Sequence, residues 1–319
     1  MELFAPLRSL LAPPLDEDLR RAIDRGVALA DPLMMAVPRY ERKLAASVRG
    51  ALDYCAQLVL DIPGPVDING QVFGEDPLVH AFFSGTEQIA EMLGRSQALR
   101  DFVGGPAAAS AAEEFFALLG MRRHERKVMG AGLHGDQVRR EVPQTLLYFS
   151  DHTLLELSAE LAQTRERIGE LAFDSLAKSF AGRLEQARSA RQALHTEWEM
   201  ARAAGGEPRA RSEALRTLER RLREAAAALE PARVLEDYRA WLASPAANLR
   251  LDPVTLMVDR LGVLIDPAAA PAADGDTIRF PELYARDRRH WILVLVRIRR
   301  AEAQRALAAA KQASRYLLI

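Results

Sequence analysis

Between residues 121 and 157 the chain carries its densest set of groups able to do chemistry. His124, His134, Asp136, Asp151 and His152 supply imidazole and carboxylate, the donors that zinc and related divalent metals take. Two paired strands through this stretch would bring His134 and Asp136 near Asp151 and His152, and these four residues are the candidate metal or ligand site. Their spacing is not that of a known metal motif, because neither H-x-x-x-H nor H-E-x-x-H occurs. Polar turns and helix capping, with Asp151 or Thr153 as the cap, are the plainer use of the same residues.

The same stretch holds Gly130-Ala131-Gly132-Leu133-His134-Gly135, a match to the dinucleotide fingerprint G-x-G-x-x-G. That fingerprint works when the third glycine enters a helix whose N-terminus faces the pyrophosphate. Here Pro143 follows soon after Gly135 and no βαβ unit fits, so the glycines read as a turn in a hairpin and no cofactor is expected. Neither the G-x-S-x-G nucleophile elbow nor the G-x-x-x-x-G-K phosphate loop occurs. Glu113 and Glu114 are adjacent, and on a helix they would diverge by about 100°, as surface charges do. The single cysteine, Cys55, falls on an apolar helical stripe, which suits a small buried residue better than a nucleophile.

Charge offers a second candidate. The formal net charge is −1, so no overall field marks a nucleic-acid binder, yet residues 279–319 hold ten Lys and Arg against three Asp and Glu. Arg299, Arg300, Arg305 and Lys311 are the candidates for an anion-binding surface, alongside Arg286, Arg288 and Arg289. One continuous exposed face of these cations would suit a phosphate backbone, whereas engagement by internal partners would weaken that use. Arginines flanking the apolar run 291–296 also serve as ordinary gatekeepers against aggregation.

The elements that must position these groups are mostly helical in expectation. Tyr40, Leu44, Val48, Leu52, Cys55 and Val59 line one face, ended by Ile62-Pro63-Gly64-Pro65. Further helices are expected from after Asp16 to about Ala30 and over residues 76–83, 86–93 and 109–119, with Thr86 and Ser96 as N-cap hydroxyls. Leu176, Phe180, Leu184, Ala187, Leu194 and Trp198, then Leu215, Leu218, Leu222, Ala225 and Leu229, keep a heptad-like rhythm on either side of the break 204–208, which predicts two long helices folding back on each other. Extended structure is expected after Pro143, then at 249–251, 256–258, 262–265, 277–280 and 290–298, with a mobile surface loop over 266–276 and a last helix over 301–316.

The expected class is mainly α with a small β element (α+β): an N-terminal helical layer (1–120), a β-hairpin or small sheet (121–157), a long antiparallel helical hairpin (158–245), and short antiparallel strands with a C-terminal helix (246–319). If the two extended regions join into one sheet, the helical hairpin is an insertion in a single domain. No run approaches the eighteen apolar residues of a membrane span. One cysteine and a start without a signal-peptide pattern predict a cytoplasmic protein, and heavy use of Ala and Arg suits a GC-rich bacterial genome. These features together predict a non-catalytic protein that binds another macromolecule, another protein first and nucleic acid as the alternative. A metal- or ligand-dependent enzyme using His134, Asp136, Asp151 and His152 is the competing reading.

Overall fold

The computed structural model describes residues 15–105, 112–134, 137–203, 208–266, 275–285 and 291–316. They form two units: a helical one from Met1–Cys55 with Glu170–Asn248, and a sheet-bearing one from Ala56–Gly169 with Leu249–Ile319.

The helical unit begins with α1 (Glu17–Ala30), followed by a 3-10 turn (Pro32–Ala36) and α2 (Tyr40–Leu60), whose last residues pass into the sheet unit. Buried Leu19, Ile23, Val27 and Ala30 recur every three or four residues along α1, as an amphipathic helix requires. Asp31 stops α1: one of its carboxylate oxygens accepts from Leu33 N at 3.2 Å and the other from Arg188 at 2.7 Å. Arg188 lies on α7 (Leu161–Ala203), which is followed by α8 (Pro208–Ala228) and α9 (Pro231–Ala243). Phe180 on α7 packs against Tyr238 and Trp241 on α9, at 5.0 and 5.8 Å between ring centroids, and the Trp241 indole N–H donates to Leu176 O at 3.0 Å. A methyl group on Gly26 would sit 2.8 Å from the Tyr238 oxygen and 3.0 Å from the Phe173 ring, so the close approach of α1 depends on that glycine.

Farther along the helical arm the seam thins. Leu184 and Leu218 are buried, but Leu194, Trp198, Leu215 and Leu222 stay half-buried, and Met200 is exposed. Two helices alone cannot surround the stripe that each presents.

Cys55 has no exposed surface, and burial pushes its thiol up to about 12. About a thousandfold fewer thiolates than for a free thiol are then available at neutral pH. The folded protein should therefore resist a thiol reagent such as iodoacetamide that labels it promptly in denaturant; fast labelling under native conditions would show that the helix opens.

The sheet unit overturns the expected fold class. Its β element is neither small nor built of short strands: β2 (Glu114–His134) and β3 (Gln137–Ser158) are the longest extended segments of the chain. They join β1 (Val66–Asp67), β4 (Leu249–Val258), β5 (Asp276–Ala285) and β6 (Trp291–Arg299) in one six-stranded sheet of order β3-β2-β6-β5-β4, with β1 pairing parallel to β6. The two extended regions therefore meet, through antiparallel pairing of Glu114–Arg122 with Arg299–Trp291. Helices still supply more residues than strands, so the class is a mixed α+β.

Of the helix expected over 109–119, residues 109–111 lie outside the described residues and Glu114 onward is instead the start of β2. Phe115, Ala117, Leu119 and Met121 are buried in the main core on one face, while Leu118 packs with Val59, Ile62, Ile168 and Leu295 on the other. A strand covered on both sides reads as a continuous apolar run, and periodicity cannot separate it from a buried helix.

The sheet curls, because the turn after β4 reaches β3. Leu147 N donates to Gly262 O, and Leu264 N donates to Thr145 O, both at 2.8 Å. Asp259 shapes that turn by accepting from Leu261 N and Val263 N, each at 2.8 Å. Four short helices, α3 (Val72–Glu75), α4 (Pro77–Phe82), α5 (Thr86–Arg95) and α6 (Gln97–Gly104), and the C-terminal α10 (Arg300–Tyr316) belong to the same unit. Asp76 caps α4 through Leu78 N and Val79 N, and Ser96 caps α6 through Leu99 N. Thr86 is not a cap but the first residue of α5, after Gly85. Most of the 266–276 segment expected to be a surface loop, residues 267–274, lies outside the described residues.

Candidate functional site

Beyond Arg122, β2 has no described strand beside it except β3. β3 in turn loses its outer contacts before Thr145, where the bonds to residues 262–264 end. Residues 126–134 and 137–144 thus form a two-stranded ribbon that continues past the sheet. Its register runs from Arg126↔Leu146 and Val128↔Gln144 to Leu133↔Val138 and His134↔Gln137, with an extra residue in β3 where Glu141 takes φ 62°.

The dinucleotide fingerprint dissolves in this geometry. Gly130 and Gly132 lie inside β2, a strand that turns into another strand, and no helix N-terminus follows for a pyrophosphate to meet. Gly135 and Asp136 lie outside the described residues.

Register also separates the candidate metal ligands. His134 stands at the tip of the hairpin, whereas Asp151 and His152 lie near its base, beside Thr153↔Gly120 and Ser150↔Arg122. That is about 13 residues along the strand, or about 40 Å at strand rise. Asp151 is exposed and pairs with Arg122 at 3.2 Å. His152 stacks on Phe83, with centroids 4.7 Å apart, and its Nε2–H donates to Phe82 O at 2.8 Å. Burial holds this imidazole below its ordinary pKa, so it is neutral at pH 7. His124 stacks on Tyr148 at 5.0 Å and bonds Ser150 Oγ at 2.9 Å. Among the described residues no three His, Cys, Asp or Glu side chains gather as a metal would require.

The C-terminal cations divide among separate duties. Arg300 Nε donates to Ala112 O at 2.7 Å, and its guanidinium lies 4.9 Å from the Phe115 ring centroid. Arg305 pairs with Glu302 at 3.5 Å. Arg299 and Lys311 are exposed, but Arg299 ends a strand. On α10, Arg305 lies about 140° around the axis from Arg300, so the four do not share a face. Arg286, Arg288 and Arg289 lie outside the described residues.

Arg297 makes the strongest of these pairs, donating through two nitrogens to both oxygens of Asp67 at 2.5 and 2.8 Å. This bond holds the Asp67 carboxyl below the usual carboxylate range. A carboxylate with a depressed pKa stabilises the fold above its unfolded value, near 3.9, and that contribution fades as pH falls through the folded value. Asp67→Asn should therefore cost about 1 kcal/mol at pH 7, a figure kept low because the pair is partly open to water. Denaturant melts from pH 7 to pH 2 should show the two proteins converging at the acid end; a constant gap would remove the ionic explanation.

The ribbon and its root carry a further group of cations. Between Arg122 and Gln144 the chain holds six Lys and Arg against three Asp and Glu. Arg122 is taken by Asp151, and Arg123 by Glu282 at 3.4 Å and Glu125 at 3.9 Å. Arg126 and Lys127 are exposed with no partner among the described residues. The basic doublets Arg122-Arg123, Arg126-Lys127 and Arg139-Arg140 around the glycines are the sequence signal for this surface, outweighed by the denser C-terminal cluster.

Comparison with protein-family models, curated proteins and solved structures finds no significant match to this chain. No helix of the described residues is long and apolar enough to cross a membrane.

Proposed function

We propose that this protein acts by holding another macromolecule, without catalysis of its own, and that it does so in the cytoplasm through the β2–β3 ribbon. One observation carries the reading. The ribbon runs past every other described strand, and an isolated pair of strands gains little stability in water on its own. A segment of this kind repays its ordering by contact with something outside the fold. A single cysteine, buried and unreactive, suits the reducing compartment.

The test is a shortened protein in which Asn-Gly joins Val128 to Gln144, a paired position that a two-residue turn can close. Tagged full-length and shortened proteins are used to capture partners from the native host, with and without nuclease. Loss of the captured macromolecule, with a thermal melt like that of the full chain, supports the ribbon as the binding element. Capture of the same partners in the same yield by the shortened protein overturns the proposal.

A further inference from the structure

At the root of the ribbon a cavity of 460 Å³ opens to solvent between α4, residues 146–149 of β3 and the turn at 258–262. That volume suits one small organic molecule. Phe82 and Phe149 lie buried at its inner side and meet edge-on at 5.1 Å. Phe73 and His80 add a second pair of rings, 4.8 Å between centroids, and Tyr148, 43% exposed, adds another. The walls are tied to one another, because Leu147 N donates to Gly262 O at 2.8 Å and His80 Nε2–H donates to Arg260 O at 3.3 Å. A hollow braced in this way is formed before anything enters it, and its aromatic lining suits a flat ring system.

Hydrogen bonding around the cavity is one-sided. The carbonyls of Phe82, Arg260 and Gly262 already accept bonds from within the protein. Gln88 Oε1 accepts from Ser84 N and Ser84 Oγ at 2.6 and 3.0 Å, and Asp259 Oδ1 accepts from Leu261 N and Val263 N, each at 2.8 Å. The donors stay open: the Gln88 amide N–H groups, the Tyr148 hydroxyl and the Arg260 guanidinium have no hydrogen-bond acceptor or ion-pair partner among the described residues. Asp276, exposed at the start of β5, is the opposing charge. A site whose donors outnumber its open acceptors selects a molecule that brings acceptors. We propose that this cavity binds a small aromatic acid, with its rings over Phe82 and Phe149 and its anionic group on Arg260 and the Gln88 amide.

The test uses anilinonaphthalene sulfonate, an aromatic anion whose fluorescence rises in apolar surroundings, titrated into the full chain. One saturable site with a Kd on the order of 10–100 μM is expected for a molecule of this size. Arg260→Ala should weaken it by about 10-fold, the range of a charge-assisted hydrogen bond, and Asp276→Asn should tighten it by about threefold. N-phenylnaphthylamine has the same rings without the sulfonate. It should bind about 10-fold more weakly than the sulfonate, and equally to the parent protein and to Arg260→Ala. Ala81→Trp, which adds an indole at the cavity wall, should abolish binding of both probes while thermal melts show a folded protein.

Absence of saturable binding up to about 1 mM probe would overturn the inference. Binding that ignores both Arg260→Ala and Ala81→Trp would place the probe elsewhere and overturn it equally. A neutral probe that binds as tightly as the sulfonate would remove the requirement for an acid. The cavity draws on residues 146–149 of β3, beyond the segment that the shortened protein loses, so its failure and that of the proposed function are separate.

Discussion

Replacing Phe149 by Ala should cost the sheet unit about 3–5 kcal/mol, a large part of the stability of an ordinary domain. Phe149 stands on β3 opposite Arg123, at the root of the ribbon, and is 5% exposed. Its ring meets Phe82 of α4 edge-on at 5.1 Å and Phe280 of β5 edge-on at 5.6 Å, and those two lie 6.1 Å from each other. Three elements remote in sequence thus converge on one side chain. Truncation removes its transfer energy and leaves a cavity that three fixed elements cannot readily close. Phe149→Leu keeps most of the volume and loses mainly the edge-to-face term, so its cost should stay near 1–2 kcal/mol. Urea unfolding followed by a probe in the sheet unit measures both. A cost below about 1 kcal/mol for the alanine variant would mean that the three rings do not anchor β3.

Gly64→Ala should be damaging for a different reason. Gly64 has φ 111°, a backbone conformation that L side chains rarely adopt, and an added methyl would lie 2.2 Å from Leu295 O and 3.0 Å from Leu295 C. Neither atom can rotate away, because both are backbone of β6, held close by Leu295 N donating to Pro63 O at 2.9 Å. Backbone strain of about 1–3 kcal/mol adds to overpacking of about 1–3 kcal/mol, which sets the expected loss at about 2–6 kcal/mol. Gly50→Ala makes the contrast. Gly50 is exposed inside α2 with nothing within 4 Å of the added carbon, so alanine should stabilise by about 0.5–1 kcal/mol. The same substitution then has opposite signs at two sites; equal effects in thermal melts would show that intrinsic propensity, and not the Leu295 contact, governs position 64.

The candidate site shows why local pattern reaches only part of the way. A strand pair is symmetric about its turn, so His134 and Asp136 could meet Asp151 and His152 only if the chain reversed near residue 143. It reverses after His134 instead, and Pro143 lies within β3 opposite Met129. Glycine at 135 and proline at 143 are both turn-forming residues, and choosing between them depends on which register buries Leu147, Phe149, Leu154 and Leu157.

By itself the sequence determined the helices of the helical unit. The stripe of Leu44, Val48, Cys55 and Val59 and the repeat through Leu176, Phe180 and Leu184 are buried as their spacing requires, because a helix closes its hydrogen bonds within four residues and advertises its inner face locally. The absence of an eighteen-residue apolar helix was equally a matter of composition. Tertiary structure decided the rest. β2 is a strand because β3 folds back on it and β6 pairs with it from far along the chain, and its doubly covered start erases the alternation that would mark it. It also decided which cations are paired: Asp67 meets Arg297 from 230 residues away and Glu282 meets Arg123 across strands, while Arg126 and Lys127 make no ion pair with a described acid. Charge in a sequence is a count, but its availability depends on Coulomb partners a few ångströms away, and only the fold sets those distances.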